Sequence, residues 1–230
     1  MHEVVQWLQQ LQLEKLIELV VTVAASLLCI TVHETCHGLA AYWMGDDTAK
    51  RMGRLSLNPL RHVDVMGLVM MALVRFGWAK AVPVDPRRFR RPKLGMALTA
   101  FAGPLSNVLL MTAALVLRAV VLIPYYLHAS LLWEYVMLFL EYTAVLSAGL
   151  AVFNLFPIPP LDGSKVLFAV LPSALYGKLM RYERYGFIIL AVLLLTNVLD
   201  VPLYYLRDIL LDMGSRVAEP VFLFLASRIG

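Results

Sequence analysis

The sequence has little charge for its length. Of its 230 residues only 16% are Asp, Glu, Lys or Arg, whereas 60% are hydrophobic. A soluble domain usually carries about 25% charged and about 45–50% apolar residues. Between residues 19 and 44 there are only three acidic, basic or histidine side chains. A helix of that length covers about 39 Å, more than the roughly 30 Å hydrocarbon layer of a bilayer. The composition therefore predicts a membrane protein rather than a soluble domain.

Cysteine is also scarce, with two residues in the chain, Cys29 and Cys36. On one helix, seven residues apart, their Cα atoms would be separated by roughly 10 Å, which is too far for a disulfide bond. The spacing of Cys36 from the neighbouring histidines argues against a role in metal binding. We therefore expect two reduced cysteines that pack among other side chains.

What the sequence does contain is a series of long hydrophobic runs. Four of them are long enough to span a bilayer, at 16–44, 95–123, 131–156 and 186–206. A fifth run, at 65–74, is too short to span and suits a re-entrant piece that packs against protein. We therefore predict an all-α polytopic membrane protein with about four spanning helices and one short or re-entrant segment.

Positive charge is concentrated in one loop, at 80–93, where Asp85 is the single acidic residue. Loops of this kind stay on the cytoplasmic side of a membrane and contact anionic lipid. This orientation places the C-terminal half of the first helix toward the cytoplasm. Apolar stripes at 1–15 and 207–230 predict an interfacial amphipathic helix at each end. The basic residues of the loop are Lys80, Arg87, Arg88, Arg90, Arg91 and Lys93.

The first hydrophobic run contains "HETCH", which matches the pattern H-E-x-x-H. On a helix, residues four apart share a face, so His33 and His37 can present two nitrogens to one metal ion. A catalytic zinc site uses three protein ligands and a water molecule, and Glu34 is placed to act as the base for that water. Without a metal, the three polar side chains would need partners on neighbouring helices.

A third ligand should come from another segment, and Asp162 in "NLFPIPPLDGSK" is the best candidate. The prolines at 157, 159 and 160 prevent a regular helix just before it. Such broken backbone is tolerated at membrane depth where it faces protein or a water-filled cavity. Asp162 would then begin the next short helix, where it can equally serve as an N-cap.

The two motifs together resemble the site-2 protease family of intramembrane zinc metalloproteases, peptidase family M50. The matching stretches are "VHETCHG" and "FNLFPIPPLDG", and "FAGPLSNVLL" is similar to the family's G-P-x-x-N helix motif, with Gly103, Pro104 and Asn107. The resemblance implies that His33, His37 and Asp162 bind one Zn²⁺ and that Glu34 is the catalytic base. It points to the compact branch without PDZ or CBS domains, because the chain has no length for either.

The resemblance also divides the chain, which we expect to form one domain. Residues 16–170 would be the catalytic core, and 171–206 would hold a cytoplasmic-side loop and the last span. Asn154 matches an Asn of the family's second motif and could hold the substrate backbone or the oxyanion, or cap the proline-broken turn. Asn107 could contact substrate, or simply join two helices. His62 and Asp64 could pair near the site, although a surface position is the better interpretation.

The stretch "GWAKAVPVDP" at 77–86 alternates apolar and polar residues and predicts a small β-hairpin at the cytoplasmic interface. Its free edge could pair with an unwound substrate by strand addition, or the hairpin could anchor the chain at the lipid headgroups. The candidate substrate-binding residues in this stretch are Trp78, Ala79, Lys80, Ala81 and Val82.

The function implied is zinc-dependent hydrolysis of a peptide bond within or near the transmembrane segment of a membrane protein. The expected partners are single-span substrates, the lipid bilayer and a regulatory membrane protein or a second copy of the chain, with no nucleic acid. The expected location is a prokaryotic cell membrane, with the site toward the cytoplasm. The alternative is a metal transporter or an inactive metal-binding homologue. A single broken segment argues against a transporter, and the presence of Glu34 argues against inactivity.

Overall fold

The computed structural model describes residues 2–67, 79–128 and 130–228, and in these residues the regular structure is helical. Three long helices and one bent pair of helices account for most of the described residues. The α-helices are α1 (His2–Trp43), α2 (Thr48–Arg51), α3 (Pro92–Leu127), α4 (Leu131–Leu155), α5 (Asp162–Val170), α6 (Ser173–Leu195) and α7 (Asp200–Ala226), with short 3-10 helices at Pro59–Arg61 and Pro86–Arg88. The prediction of an all-α protein is confirmed for the described residues.

Three stretches are long and apolar enough to cross a membrane, namely Leu13–Trp43, Pro92–Leu127 and Leu131–Leu155. A fourth crossing is possible if Tyr185–Leu195 and Asp200–Ala226, which meet at 87°, together form one broken span. Many leucines on the outer faces of these helices are exposed, which suits contact with lipid chains rather than water. The structure therefore has three or four candidate spans, in agreement with about four predicted.

The helices pack through small residues. Ala144 and Ala148 of α4 are almost fully buried, and they lie beside Met111 and Ala114 of α3. Cys29 of α1 is also fully buried and packs against α4, with its Sγ 3.1 Å from the hydroxyl of Ser147. Small side chains let helix backbones approach closely, which is the main source of packing energy between helices in lipid. The inner faces of α1, α3 and α4 thus form the frame that positions the site.

The prediction of one span at 186–206 followed by a separate helix from 207 is wrong about where the break lies. The helix ends at Leu195, and the next helix begins at Asp200. Asn197 in between has a φ of 56°, the left-handed conformation that Asn adopts more readily than other side chains. At the other end of the chain, α1 continues from residue 2 to 43 without a break at residue 15.

The predicted β-hairpin at 77–86 is wrong for the residues that the structure describes, since none of 79–86 is in a strand. Side chains take the place of a partner strand there. The N–H of Val82 donates to Glu34, and the N–H of Asp85 donates to Asp46. Pro83 has no N–H to offer to a ladder. Of the predicted re-entrant segment at 65–74, residues 68–74 lie outside the described residues.

Candidate metal centre

The two histidines of α1 lie one above the other on its inner face, as their four-residue spacing requires. Their rings meet edge to face with centroids 4.5 Å apart. The Nε2 atoms of His33 and His37 are 2.9 Å from each other, and both residues are buried. Two buried imidazoles therefore aim the same ring nitrogen at one point.

Asp162 supplies a third candidate ligand atom, a carboxylate oxygen, at that point. Its Oδ2 lies 3.2 Å from Nε2 of His33 and 3.1 Å from Nε2 of His37. Asp162 is the first residue of α5, and the N-cap position before it is taken by Leu161, which has no capping side chain. The next residue is Gly163, and a glycine is needed there because the start of α5 packs closely against the end of α4. A Cβ at Gly163 would lie 2.6 Å from the carbonyl oxygen of Phe156 and closer still to that of Leu155.

The donor set fits a zinc ion. One nitrogen from each of His33 and His37 and one oxygen from Asp162 all lie within 4.8 Å of one another. Ligands of a tetrahedral zinc, at about 2.0–2.1 Å from the ion, are separated from each other by about 3.3 Å. The observed separations of 2.9, 3.1 and 3.2 Å are close to that value. Two imidazoles and one carboxylate are also ligands that zinc uses in catalytic sites.

The carboxylate of Asp162 lies between two imidazoles and an ammonium group. Burial alone would raise the pKa of Asp162, but its bonds to the two imidazoles outweigh burial and hold that pKa well below the usual range. Lys165, one turn along α5, also contributes, with its Nζ 3.7 Å from Oδ1. The two oxygens of Asp162 are therefore divided, because Oδ2 faces the histidines and Oδ1 faces the ammonium group.

One face of α3, formed by Thr99, Gly103 and Asn107, packs against the two histidine rings. The carbonyl oxygen of Thr99 lies 2.7 Å from Nδ1 of His37, and since a carbonyl only accepts, that Nδ1 carries a hydrogen. Asn107, two turns further, places its amide Nδ2 3.1 Å from Nδ1 of His33. Gly103 lies midway between them, where a Cβ would come within 2.5 Å of Nε2 of His37 and 2.6 Å of Cε1 of His33. Residues 99, 103 and 107 thus form one face of α3 that touches both rings.

Glu34 lies beside the candidate metal ligands and contacts the loop that precedes α3. Its Oε2 accepts a hydrogen bond from the backbone N–H of Val82 at 2.9 Å. The same loop is held by Arg54, a buried residue whose guanidinium Nη2 donates to the carbonyl oxygens of Lys80 and Ala81. The N–H of Lys80 donates to the carbonyl oxygen of His62. Residues 80–82 are therefore fixed by both a buried cation and the carboxylate of Glu34.

A cavity of about 830 Å³ opens in front of these groups. Asn154 lines the cavity, but its Nδ2 donates to the carbonyl oxygen of Leu150 in the same helix. Ala79, Ala81 and Val82 also line the cavity. The polar residues around the cavity include His33, Glu34, His37, Asp64, Asn154, Asp162 and Lys165.

Other residues singled out from the sequence lie elsewhere. Lys80 is exposed, and Trp78 lies outside the described residues. Asn107 is fully buried behind His33 and is not among the residues that line the cavity. His62 is 1% exposed and lines the cavity, with its Nε2 donating to the carbonyl oxygen of Ser56, so the surface interpretation of His62 is wrong. Asp64 accepts from the N–H of Gly67.

Sequence reasoning missed several residues that shape the site. Arg54 belongs to none of the sequence motifs, although it is only 8% exposed. Thr99 acts through its backbone, which leaves no signal in a side-chain pattern. Lys165 was detectable, because a residue three positions after Asp162 on a helix shares its face. Gly103 belongs to a recognised motif, but the motif alone does not say that the glycine touches both imidazoles.

Comparison with known proteins agrees with the geometry. A family model described as Peptidase family M50 matches residues 117–197, which include Asn154 and Asp162. A protein of Bacillus subtilis named "Putative zinc metalloprotease YwhC" is 35% identical to the chain, covering 88% of the chain and 93% of the relative. The relative named "Putative zinc metalloprotease Rip2" is 29% identical in Mycolicibacterium smegmatis and 30% in Mycobacterium tuberculosis, with 79% of the chain and 69% of the relative covered in each case. No solved structure matches the chain. On the strength of these matches, the chain is a member of peptidase family M50.

Proposed function

We propose that this protein is a zinc-dependent intramembrane endopeptidase, which hydrolyses a peptide bond within or near the transmembrane segment of a membrane protein. One observation carries the proposal. Nε2 of His33, Nε2 of His37 and Oδ2 of Asp162, from two separate helices, converge within 3.2 Å beside Glu34 and a large cavity. A zinc ion bound there would polarise the substrate carbonyl and lower the pKa of a water molecule.

The residues of the chain divide the work around that ion. His33, His37 and Asp162 would hold it, and Glu34 would take a proton from the attacking water and return it to the leaving amine. The bond from the Val82 N–H to Oε2 fixes the Glu34 carboxylate, so that its other oxygen can face the water. The side-chain oxygen Oδ1 of Asn154 could contact the substrate backbone, while its Nδ2 donates to the carbonyl oxygen of Leu150.

The substrate must be unwound before its carbonyl can be attacked, because a helix engages its carbonyls in hydrogen bonds. The segment at 79–82 provides backbone groups for such a chain. The N–H of Ala81 has no hydrogen bond to the rest of the described protein. An unwound substrate could accept from this N–H by strand addition, next to Glu34 and the cavity.

The location we propose is the cell membrane, with the site toward the cytoplasm. The support for this orientation is the basic loop before α3, because Lys/Arg-rich loops remain cytoplasmic. Three residues of that loop, Arg87, Arg88 and Arg90, are exposed, as a headgroup contact requires. Single-span membrane proteins are the proposed substrates.

The test is cleavage of a single-span substrate by the purified protein in vesicles. Cleavage that stops with a zinc chelator and returns with added zinc supports the proposal. The same vesicles, loaded with a fluorescent zinc indicator, measure transport. Zinc transport without cleavage would instead support a metal transporter, and zinc binding with neither activity would support an inactive homologue.

A further inference from the structure

Asn107 of α3 is a buried amide whose oxygen, Oδ1, has no hydrogen-bond partner among the described residues. The residue is 0% exposed, and its Nδ2 lies 3.1 Å from Nδ1 of His33. A buried acceptor without a donor costs free energy, so this arrangement calls for an explanation.

The tautomer that His33 adopts when it binds zinc offers an explanation. Its Nε2 faces Nε2 of His37 and Oδ2 of Asp162, and with zinc bound at that point this nitrogen must offer a lone pair. A neutral imidazole that ligates through Nε2 carries its hydrogen on Nδ1. The Nδ1–H of His33 then needs an acceptor, and the amide of Asn107 is the group that lies against it.

We propose that the amide of Asn107 presents Oδ1, rather than Nδ2, to His33, and that Asn107 is a positioning residue for this zinc ligand. Turning the amide by 180° exchanges two atoms of nearly equal size and moves nothing else. The exchange gives the Nδ1–H of His33 its acceptor, and it moves Nδ2 to the buried place where Oδ1 had no partner among the described residues. The inference rests on the proposed zinc site and adds the element that holds one of its ligands in the correct tautomer.

The second histidine shows the same arrangement already in place. Nδ1–H of His37 donates to the carbonyl oxygen of Thr99, which lies on the same face of α3 as Asn107. His33 and His37 are four residues apart on α1, and Thr99 and Asn107 are eight apart on α3, with Gly103 between them in contact with both rings. Each imidazole therefore has one acceptor on α3, which fixes its ring and leaves Nε2 for the ion. Such partners of metal-binding histidines are worth about 10–100-fold in metal affinity or activity.

The experiment measures zinc affinity of the full-length protein in detergent by competition with a chelator. Asn107→Leu removes the acceptor at similar size, and Asn107→Asp keeps an acceptor at the same place. Thr112→Val is the matched control, because Thr112 lies on the same helix and its hydroxyl donates only to Val108 of that helix. We expect about a 10–100-fold weaker zinc affinity for Asn107→Leu, and values close to wild type for Asn107→Asp and Thr112→Val.

The outcomes separate the inference from the proposed function. Equal zinc affinity of wild type and Asn107→Leu would overturn the inference alone, as would an Asn107→Asp protein that binds as weakly as Asn107→Leu. A wild-type protein that binds no zinc would overturn both.

Should Asn107→Leu fail to fold, nitrogen NMR of the wild-type imidazoles in the zinc-loaded protein decides the question, since the chain has only five histidines. A hydrogen on Nδ1 of His33 supports the inference. A hydrogen on Nε2, or zinc bound through Nδ1, contradicts it.

Discussion

Glu34 on α1 accepts a hydrogen bond from the backbone N–H of Val82, 48 residues away, at 2.9 Å. The contact joins the proposed catalytic base to the proposed substrate-binding segment. A carboxylate held by a backbone donor loses rotational freedom, and its second oxygen then has a defined direction. Glu34 and the segment at 79–82 are therefore coupled, and a substitution in either should shift the position of the other.

The first prediction concerns Glu34. Replacement by Gln keeps an oxygen that can accept from the Val82 N–H but removes the base. We expect substrate cleavage to fall by about 10²–10⁴-fold, while the zinc content stays at that of the wild type. Both quantities are measured on the same purified samples.

The control for this prediction is Asp47→Asn. Asp47 lies outside the candidate membrane spans and pairs with Arg51 at 3.1 Å, and such a surface pair contributes little. Its activity should equal that of the wild type. Cleavage at wild-type rate by Glu34→Gln would show that the base is a different group.

The second prediction concerns Arg54, whose buried guanidinium holds the carbonyls of Lys80 and Ala81. Arg54→Gln removes charge-assisted hydrogen bonds, each worth about 1.5–3 kcal/mol, and should loosen the segment at 79–82. We expect KM to rise by about tenfold or more, as such a loss allows, with zinc content unchanged. Kinetics with a single-span substrate would measure the change.

Arg51→Gln is the matched control, since the Arg51 side chain is 54% exposed and pairs with Asp47 at the surface. It should leave KM unchanged. If Arg54→Gln and Arg51→Gln behave alike, the segment at 79–82 does not depend on the buried cation and its role in binding substrate is in doubt.

The third prediction concerns Gly103. A Cβ at this position would lie 2.5 Å from Nε2 of His37 and 2.6 Å from Cε1 of His33, closer than real Cβ contacts come. Gly103→Ala must therefore displace one or both imidazoles. We expect zinc affinity to fall by at least about tenfold, as for other changes next to a metal ligand, measured by chelator competition.

Gly149→Ala provides the comparison, because a Cβ at Gly149 would meet nothing within 4 Å. Both glycines lie inside long helices, so helix propensity changes in the same direction in both variants. An unchanged zinc affinity in Gly103→Ala would mean that the two rings do not lie against α3 as described.

The parts of the site that were predicted from the sequence are those set by local rules. The four-residue spacing of His33 and His37 places them on one face of any helix. Three prolines within four positions before Asp162 disfavour a continuous helix there, and α5 begins at Asp162 as expected. The convergence of Asp162 on the histidines was an expectation from family resemblance, because no local rule connects residues 129 positions apart.

The parts that could not be predicted depend on tertiary contacts. The alternation in "GWAKAVPVDP" suggests a strand, but a strand needs a partner, and here the Glu34 and Asp46 side chains occupy the N–H groups instead. Arg54 looks like any loop cation until its burial is known. The break at 196–199 was hidden because the apolar run continues through it, and a single Asn in a left-handed conformation is enough to turn the chain.

The most direct test of the zinc site is X-ray absorption at the zinc edge on the purified protein, combined with zinc content per chain. We predict one zinc per chain with two imidazole nitrogens and a carboxylate oxygen in its first shell, and loss of most of the metal in Asp162→Ala. A wild-type protein without zinc, or an Asp162→Ala protein that keeps its zinc with an unchanged spectrum, would contradict the account.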